Sequence, residues 1–155
     1  MSPRPPLQID HVELFVPDRR VAADWYRDVL GLEILPDYEP WAADPGGPLM
    51  ISADEGGTKL ALFTGQPQGP RPTAGYHLVA FRATADGFLA FLRGLSRVNL
   101  RDHRDRTVTP AAVVDHGQAL SLYFSDPFGH RLELTTYEHE AARRALPALE
   151  SPPAL

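Results

Sequence analysis

The chain contains no cysteine and a single lysine, Lys59, among its 155 residues. Without cysteine there is no disulfide and no thiolate nucleophile or metal ligand, which is typical of a cytoplasmic protein. The net charge of −5 is mildly acidic, so the sequence carries neither the basic surface of a nucleic-acid-binding protein nor a polybasic membrane patch. No apolar run approaches the ~20 residues that cross a bilayer, and we expect no membrane segment.

The length and the hydrophobic content of 43% predict a single domain with a real core. Proline-rich ends predict a disordered N-terminal extension over residues 1–7, and a short C-terminal helix followed by a tail over residues 138–155. The folded part is expected to span residues 8–140. It divides into a first module at 8–65, a linker rich in glycine and proline at 66–74, and a second module at 75–137.

The two modules repeat one order of elements. The first is predicted to contain a strand at 9–16, a helix at 19–30, a strand at 32–35 and a hairpin of strands at 49–53 and 59–63. The second is predicted to contain a strand at 76–81, a helix after Thr84 or Asp86, and strands at 97–100, 120–124 and 131–135. His11 and His77 lie near the starts of the two first strands. Asp54-x-x-Gly57-x-x-Leu60-x-Leu62 matches Asp126-x-x-Gly129-x-x-Leu132-x-Leu134. We interpret this as an internal duplication of a βαβββ unit in an α+β fold.

Glu133 is a single carboxylate between Leu132 and Leu134 in a predicted strand. Neighbouring strand residues point to opposite faces, so Glu133 is expected to face away from the apolar layer, into a polar site or water. Equivalent positions of two repeats related by a twofold lie near its axis, which would let His11, His77 and Glu133 converge. Two imidazoles and one carboxylate leave open positions on a divalent ion. The pattern predicts a metal site with three protein ligands.

A set of motifs resembles the vicinal oxygen chelate superfamily, which includes glyoxalase I, fosfomycin-resistance enzymes, bleomycin-binding proteins and extradiol dioxygenases. The motifs are His11, Trp25-Tyr26-x-x-Val29-Leu30-Gly31-Leu32, His77 and Asp126-Pro127-x-Gly129-x-x-x-Glu133. The resemblance covers residues 8–137 and implies curved mixed sheets around a metal-binding cleft. It implies a divalent metal on His11, His77 and Glu133, with Fe(II) first and Mn(II), Ni(II) or Zn(II) as alternatives. It also implies a small-molecule substrate and a homodimer.

Within that superfamily, the sequence is most similar to extradiol dioxygenases, which act on vicinal diols such as catechols. Tyr123 stands ten residues before Glu133, and Asp115-His116-Gly117 precedes the strand of Tyr123. The resemblance implies that Tyr123 is a phenol donor to the reacting oxygen and that His116 serves in acid–base transfer. No histidine within residues 60–75 takes the place of the family's catalytic base, so that role stays unassigned.

Three alternatives remain open at this point. A fosfomycin-type thiol transferase or epoxide hydrolase is favoured by Ser121 and Tyr123, but residues 112–114 are small and apolar where a basic residue is expected. A glyoxalase-type isomerase usually has a fourth, carboxylate ligand where this chain has Ala61. A metal-free drug-binding protein would need no converging ligands. In each case an apolar wall is expected from Phe15, Tyr38 and Trp41.

Overall fold

The computed structural model describes residues 8–66 and 77–150. The chain divides into two compact units, Met1–Pro72 and Thr73–Leu155. The predicted extension at 1–7, the linker residues 67–74 and the tail at 151–155 lie outside the described residues. None of the helices in the described part is long and apolar enough to span a membrane.

The first unit contains four strands and one α-helix in the order β1 (His11–Val16), α1 (Arg19–Leu30), β2 (Glu33–Ile34), β3 (Leu49–Ser52) and β4 (Lys59–Thr64). Its sheet, called sheet 1, has the strand order β1-β4-β3-β2. β1 runs parallel to β4, whereas the other pairs are antiparallel. The unit is therefore the predicted βαβββ module with a mixed sheet.

The second unit repeats this architecture with β5 (Leu78–Arg82), α2 (Ala85–Val98), β6 (Val114–Asp115), β7 (Leu120–Ser125) and β8 (Arg131–Thr136). Its sheet, called sheet 2, has the order β5-β8-β7-β6, with β5 parallel to β8. Two short helices follow, α3 (His139–Ala145) and α4 (Pro147–Glu150). The predicted duplication is confirmed.

Local sequence signals set the helix ends. The Asp18 carboxylate accepts the N–H groups of Arg20 and Val21 at 2.8 and 3.1 Å, which caps the first turn of α1. Gly31 ends that helix at a φ of 71°, a left-handed conformation that glycine adopts without strain. Helix α2 begins at Thr84, whose hydroxyl accepts the N–H of Gly87 at 3.1 Å.

Each unit buries the face of its sheet that carries the helix. Leu60 and Leu62 in sheet 1 correspond to Leu132 and Leu134 in sheet 2, and all four are buried. On the helices, the buried aromatic residues are Tyr26 and Phe88. Burial of each such side chain removes it from water at a gain of roughly 1.5–3 kcal/mol. Both apolar layers follow the alternation seen in the sequence.

Two sequence expectations about secondary structure are wrong. The predicted strand at 97–100 is absent, because α2 continues to Val98 and ends at Asn99, which has a φ of 45°. The buried series Phe88, Leu92 and Leu95 has helical spacing, and its packing overrides the β-branched Val98. The segment between the strands predicted at 32–35 and 49–53, which the sequence pattern indicates is a loop, contains a 3-10 helix, Pro36–Ala43, with proline at its start.

Candidate active site

The face of sheet 2 opposite α2 carries the polar side chains that the sequence singled out. Strand pairing sets Tyr123 directly opposite Glu133 on one side and Ala80 opposite it on the other. Because side chains alternate across a strand, these three residues share a face, while Leu132 and Leu134 face the helix. We call this surface the Glu133 face; it also includes Leu78 and His116.

Three of the predicted site residues lie together on the Glu133 face. The Nε2 atom of His116 lies 3.0 Å from the hydroxyl of Tyr123, a hydrogen-bonding distance. Tyr123 pairs with Glu133 across the two strands, close enough for the charge of Glu133 to act on the phenol. The three side chains therefore form a polar cluster on one face.

The environment of Tyr123 keeps its phenol protonated. Burial raises the pKa of Tyr123 above its ordinary value of 10.0, and the negative charge of Glu133 raises it further, against a smaller lowering by Ser121. At neutral pH the group therefore holds its proton and remains a donor. This is the protonation state that a general acid needs.

The loop that presents His116 is held by an ion pair to helix α3. Arg143 donates to both oxygens of Asp115, from Nε at 2.6 Å and from Nη2 at 2.9 Å, and its Nη2 also donates to the carbonyl of Gly117 at 3.1 Å. The Asp115 carboxylate also accepts the N–H of Gly117 at 2.8 Å. The Arg143 guanidinium, followed by the Gly117 N–H, lowers the pKa of Asp115 to about 2. This bidentate geometry fixes the residues on both sides of His116.

Sheet 1 carries its predicted ligand, His11, at the start of β1. Nδ1 of His11 lies 2.7 Å from the Asp10 carboxylate, which is also bonded by the ammonium of Lys59 at 2.8 Å. Lys59 and then His11 lower the pKa of Asp10. Because a carboxylate only accepts, Nδ1 of His11 donates the hydrogen bond to Asp10, and Nε2 is the ring nitrogen that Asp10 does not engage. A carboxylate behind a histidine is the outer-shell arrangement that suits a metal ligand.

Beyond His11, that face of sheet 1 carries Glu13, which pairs with Ala61, and otherwise apolar side chains. Phe15 and Phe63 stack with ring centroids 5.8 Å apart, and Ala61 and Met50 pair across neighbouring strands. Tyr38 and Trp41, in the 3-10 helix, pack on each other at 4.9 Å, and Trp41 is exposed. The three aromatic residues expected to form a wall are thus half-buried or exposed on the first unit.

His77 lies just before β5, exposed, and outside the alternation of the Glu133 face. Leu78 pairs with Arg131 and Ala80 with Glu133, so Leu78 and Ala80 share the face of Glu133. Alternation assigns His77 to the opposite face, with Val79 and Phe81. In sheet 1, Glu13 is the pairing partner of Ala61, and His11, the partner of Lys59, lies two residues before Glu13 on the same strand. Leu78, and not His77, therefore has the strand position that corresponds to His11, which corrects the equivalence inferred from sequence.

The residues fit a divalent ion only in part. Nε2 of His11 and the carboxylate of Glu133 are suitable ligand atoms, whereas the strand position of His77 does not match the face of Glu133. Within either unit, the described residues contain no group of three His, Cys, Asp or Glu side chains placed to hold a metal ion.

The sequence did not lead us to predict two residues of the candidate site, Asp10 and Arg143, or the one-residue offset of His77. Asp10 behind His11 was signalled by its position next to the histidine, but Arg143, which holds Asp115, had no local signal. The spacing of each histidine from the more buried residues of its strand distinguishes His77 from His11. His11 is an odd number of positions from the buried Leu14 and Val16, whereas His77 is an even number from Val79 and Phe81.

Fold and site together define a duplicated βαβββ protein with a cluster of His, Tyr and Glu side chains on one sheet. The family model described as the Glyoxalase/Bleomycin resistance protein/Dioxygenase superfamily matches residues 8–134. The chain belongs to this superfamily, as its motifs indicated. The family's own name covers enzymes as well as a drug-resistance protein, so membership alone does not define the reaction.

Similar proteins support the same class. The chain is 36% identical over 110 residues to Biphenyl-2,3-diol 1,2-dioxygenase 3 of Rhodococcus globerulus, a match that covers 71% of this chain and 53% of that protein. The chain thus spans about half the length of this curated relative. Oxidase ChaP-H2 has a TM-score of 0.61 at 23% identity, covering 84% of this chain and 93% of its own. Lactoylglutathione lyase from Agrobacterium tumefaciens has a TM-score of 0.57 at 19% identity, covering 87% and 97%. These two structures show the shared fold.

Proposed function

We propose that this chain is a metal-dependent dioxygenase that acts on a vicinal diol of a catechol-like small molecule. The observation that carries the proposal is the cluster of His116, Tyr123 and Glu133 on one face of sheet 2, with Nε2 of His116 3.0 Å from the Tyr123 hydroxyl. The named activity of the 36% identical relative, a dioxygenase of a biphenyl diol, supports the same reaction class. Tyr123 and His116 are the catalytic residues of this proposal.

The protein's own groups supply proton transfer. Tyr123 holds its proton at neutral pH and delivers it from its hydroxyl to an oxygen of the substrate bound on the Glu133 face. His116 then returns a proton from Nε2 to the Tyr123 oxygen, 3.0 Å away, while its exposed ring takes up a proton from water at Nδ1. Asp115 and Arg143 act as positioning residues, since they fix the loop around His116.

A divalent ion, with Fe(II) first and Mn(II), Ni(II) or Zn(II) as alternatives, supplies Lewis acidity and a template when bound. His11 and Glu133 are the ligands that the local chemistry favours. The Asp10 carboxylate orients the ring of His11 through Nδ1, and Tyr123 pairs with Glu133 across the neighbouring strand. His77 remains the third ligand predicted from sequence.

The experiment is anaerobic reconstitution with Fe(II) followed by oxygen uptake with catechol and biphenyl-2,3-diol. We expect oxygen consumption and a yellow ring-fission product with the diols. The matched control substrate is 2-hydroxybiphenyl, which lacks the second hydroxyl and should give neither. The control variant is His103→Ala, in an exposed loop of the same unit. Equal oxygen uptake with the monophenol, or none with any diol, would contradict the proposal.

A second candidate function is metal-free binding of a small aromatic molecule. The apolar side chains of Leu78 and Ala80 next to Glu133 favour it, because they give that side of the face packing surface instead of a metal ligand. Titration with biphenyl-2,3-diol in the presence of a chelator distinguishes the two functions. Unchanged affinity after chelation, with no oxygen uptake on Fe(II) addition, favours the binding protein.

We also propose a homodimer, as the resemblance implied. Sedimentation equilibrium tests it directly. A single species at the mass of one chain over micromolar concentrations would contradict it.

A further inference from the structure

The one-residue offset between His77 and Leu78 bears directly on how an ion could be held. Leu78 is 41% exposed at the start of edge strand β5, two positions before Ala80, the pairing partner of Glu133. We infer that Leu78 occupies the ligand position of the second unit, so that His77 is not a metal ligand and the site lacks one imidazole. This inference rests on the proposed role of Glu133 in holding an ion.

Packing determines which residues of β5 face the helix and which face the opposite side of sheet 2. Val79 and Phe81 are half-buried on the side of α2, whereas Leu78, Ala80 and Arg82 are exposed. A shift by one residue would bring His77 into phase with Glu133, but it would also turn Val79 and Phe81 outward and Arg82 inward. The guanidinium of Arg82 lies 5.3 Å from the ring centroid of Tyr137, a contact that the shift would break.

The first unit provides an internal reference for a complete position. His11 occupies the corresponding point of β1 and has the Asp10 carboxylate behind its ring at 2.7 Å. No such carboxylate neighbours His77 along the chain, since Tyr76 and Leu78 flank it. The corresponding strand position thus holds an oriented imidazole in the first unit and an aliphatic side chain in the second.

The test measures metal affinity and not turnover. Co(II) is titrated into wild-type protein and the variants His77→Ala, Leu78→His and Leu78→Ala, followed by visible absorption and calorimetry. We expect His77→Ala to bind Co(II) within about twofold of wild type. We expect Leu78→His to bind at least about tenfold more tightly than Leu78→Ala, because even outer-shell partners of a metal are worth 10- to 100-fold in affinity.

Several outcomes would overturn the inference. A tenfold loss of Co(II) affinity in His77→Ala would show that His77 reaches the ion through a local bulge in β5. No gain of Leu78→His over Leu78→Ala would show that position 78 does not face the ion. Adding Glu133→Gln to Leu78→His should remove the gain, and its persistence would likewise contradict a shared ion. Thermal unfolding of each variant confirms that it folds.

These results separate the inference from the proposed function. Loss of affinity in His77→Ala, together with diol-dependent oxygen uptake by wild type, leaves the dioxygenase proposal intact and rejects the role of Leu78. Absence of oxygen uptake with every diol, together with tighter Co(II) binding by Leu78→His, rejects the dioxygenase and supports the incomplete site.

Discussion

Sheets 1 and 2 share a strand order and a pairing pattern, yet their faces opposite the helices have different chemistry. Sheet 1 presents the His11–Asp10 pair beside an apolar surface of Phe15 and Phe63. Sheet 2 presents the polar cluster of His116, Tyr123 and Glu133. The helix-side layers are alike because each must bury an apolar face, whereas the opposite faces carry different side chains. Duplication therefore kept the arrangement of strands, and the faces opposite the helices diverged.

The largest expected effect comes from giving sheet 1 the carboxylate of sheet 2. Ala61, the counterpart of Glu133, is 1% exposed, and it pairs with Glu13 on one side and Met50 on the other. Ala61→Glu should lower the free energy of unfolding by about 3 kcal/mol, because it places a charge in a buried site opposite a like charge. Urea unfolding at pH 7 measures it.

The matched control for that variant is Glu133→Ala, which removes a half-buried carboxylate from sheet 2. We expect a change in unfolding free energy below about 1 kcal/mol. Burial raises the pKa of an introduced glutamate, so its neutral form is favoured in the folded state and the deficit of Ala61→Glu should shrink as the pH falls toward 4. Equal losses in the two variants would mean that the two faces do not differ in burial.

The next effect isolates the phenol of sheet 2. Tyr123→Phe removes the phenol hydroxyl and its hydrogen bond with His116 while leaving the ring in place. If the proposed reaction holds, kcat should fall by about 100-fold or more, the usual contribution of a positioned acid. Steady-state oxygen uptake with a diol measures it. Tyr137→Phe, at an exposed tyrosine of the same unit, should leave kcat unchanged.

A smaller effect is expected from loosening the loop of His116. Asp115→Asn weakens the ion pair with Arg143, and the less precise position of His116 should lower kcat by about tenfold. Amide exchange at Gly117, whose N–H bonds to Asp115, should speed up. Asp102→Asn is the control. The pKa of Asp102 is also about 2, lowered first by the N–H of Arg106, but its loop makes no contact that positions His116.

The carboxylates of Asp115 and Asp102 should make the stability of the fold decrease in acid. Folding lowers the pKa of both Asp115 and Asp102 from 3.8 to about 2, so each stabilises the fold above its ordinary pKa. That stabilisation should decline as the pH falls from about 4 toward 2. Thermal unfolding from pH 5 to pH 2 should show a weaker decline in a variant that carries both Asp102→Asn and Asp115→Asn. An unchanged pH dependence would contradict the assignment.

The smallest effect compares the helix starts of the two units. Asp18→Ala should cost about 1 kcal/mol of unfolding free energy, the usual value of an N-cap. Thr84→Ala should cost about half as much, because the Glu138 carboxylate also accepts the N–H of Ala85 at 2.7 Å in the first turn of α2. Urea unfolding of both variants measures the difference. A larger loss for Thr84→Ala would mean that Glu138 does not share the capping.

Much of this molecule was determined by local sequence. The spacing of Leu60 and Leu62, and of Leu132 and Leu134, determined which face of each sheet packs against its helix. Asp18 and Gly31 determined the two ends of α1. Each of these signals acts over only a few residues. The motif around Glu133 also indicated the superfamily, which the family model confirms. The metal ligands His11, His77 and Glu133 stay predictions.

Only the tertiary structure decided which side chains meet. Arg143 lies far along the chain from Asp115, so their pairing required helix α3 to pack against sheet 2. Strand pairing, which is long-range, also decided that Leu78 shares the face of Glu133 while His77 does not. The alternation of residues along one strand, which is a short-range property of the sequence, determines which of its side chains share a face. The partner across the sheet depends on register, which the whole packed unit sets.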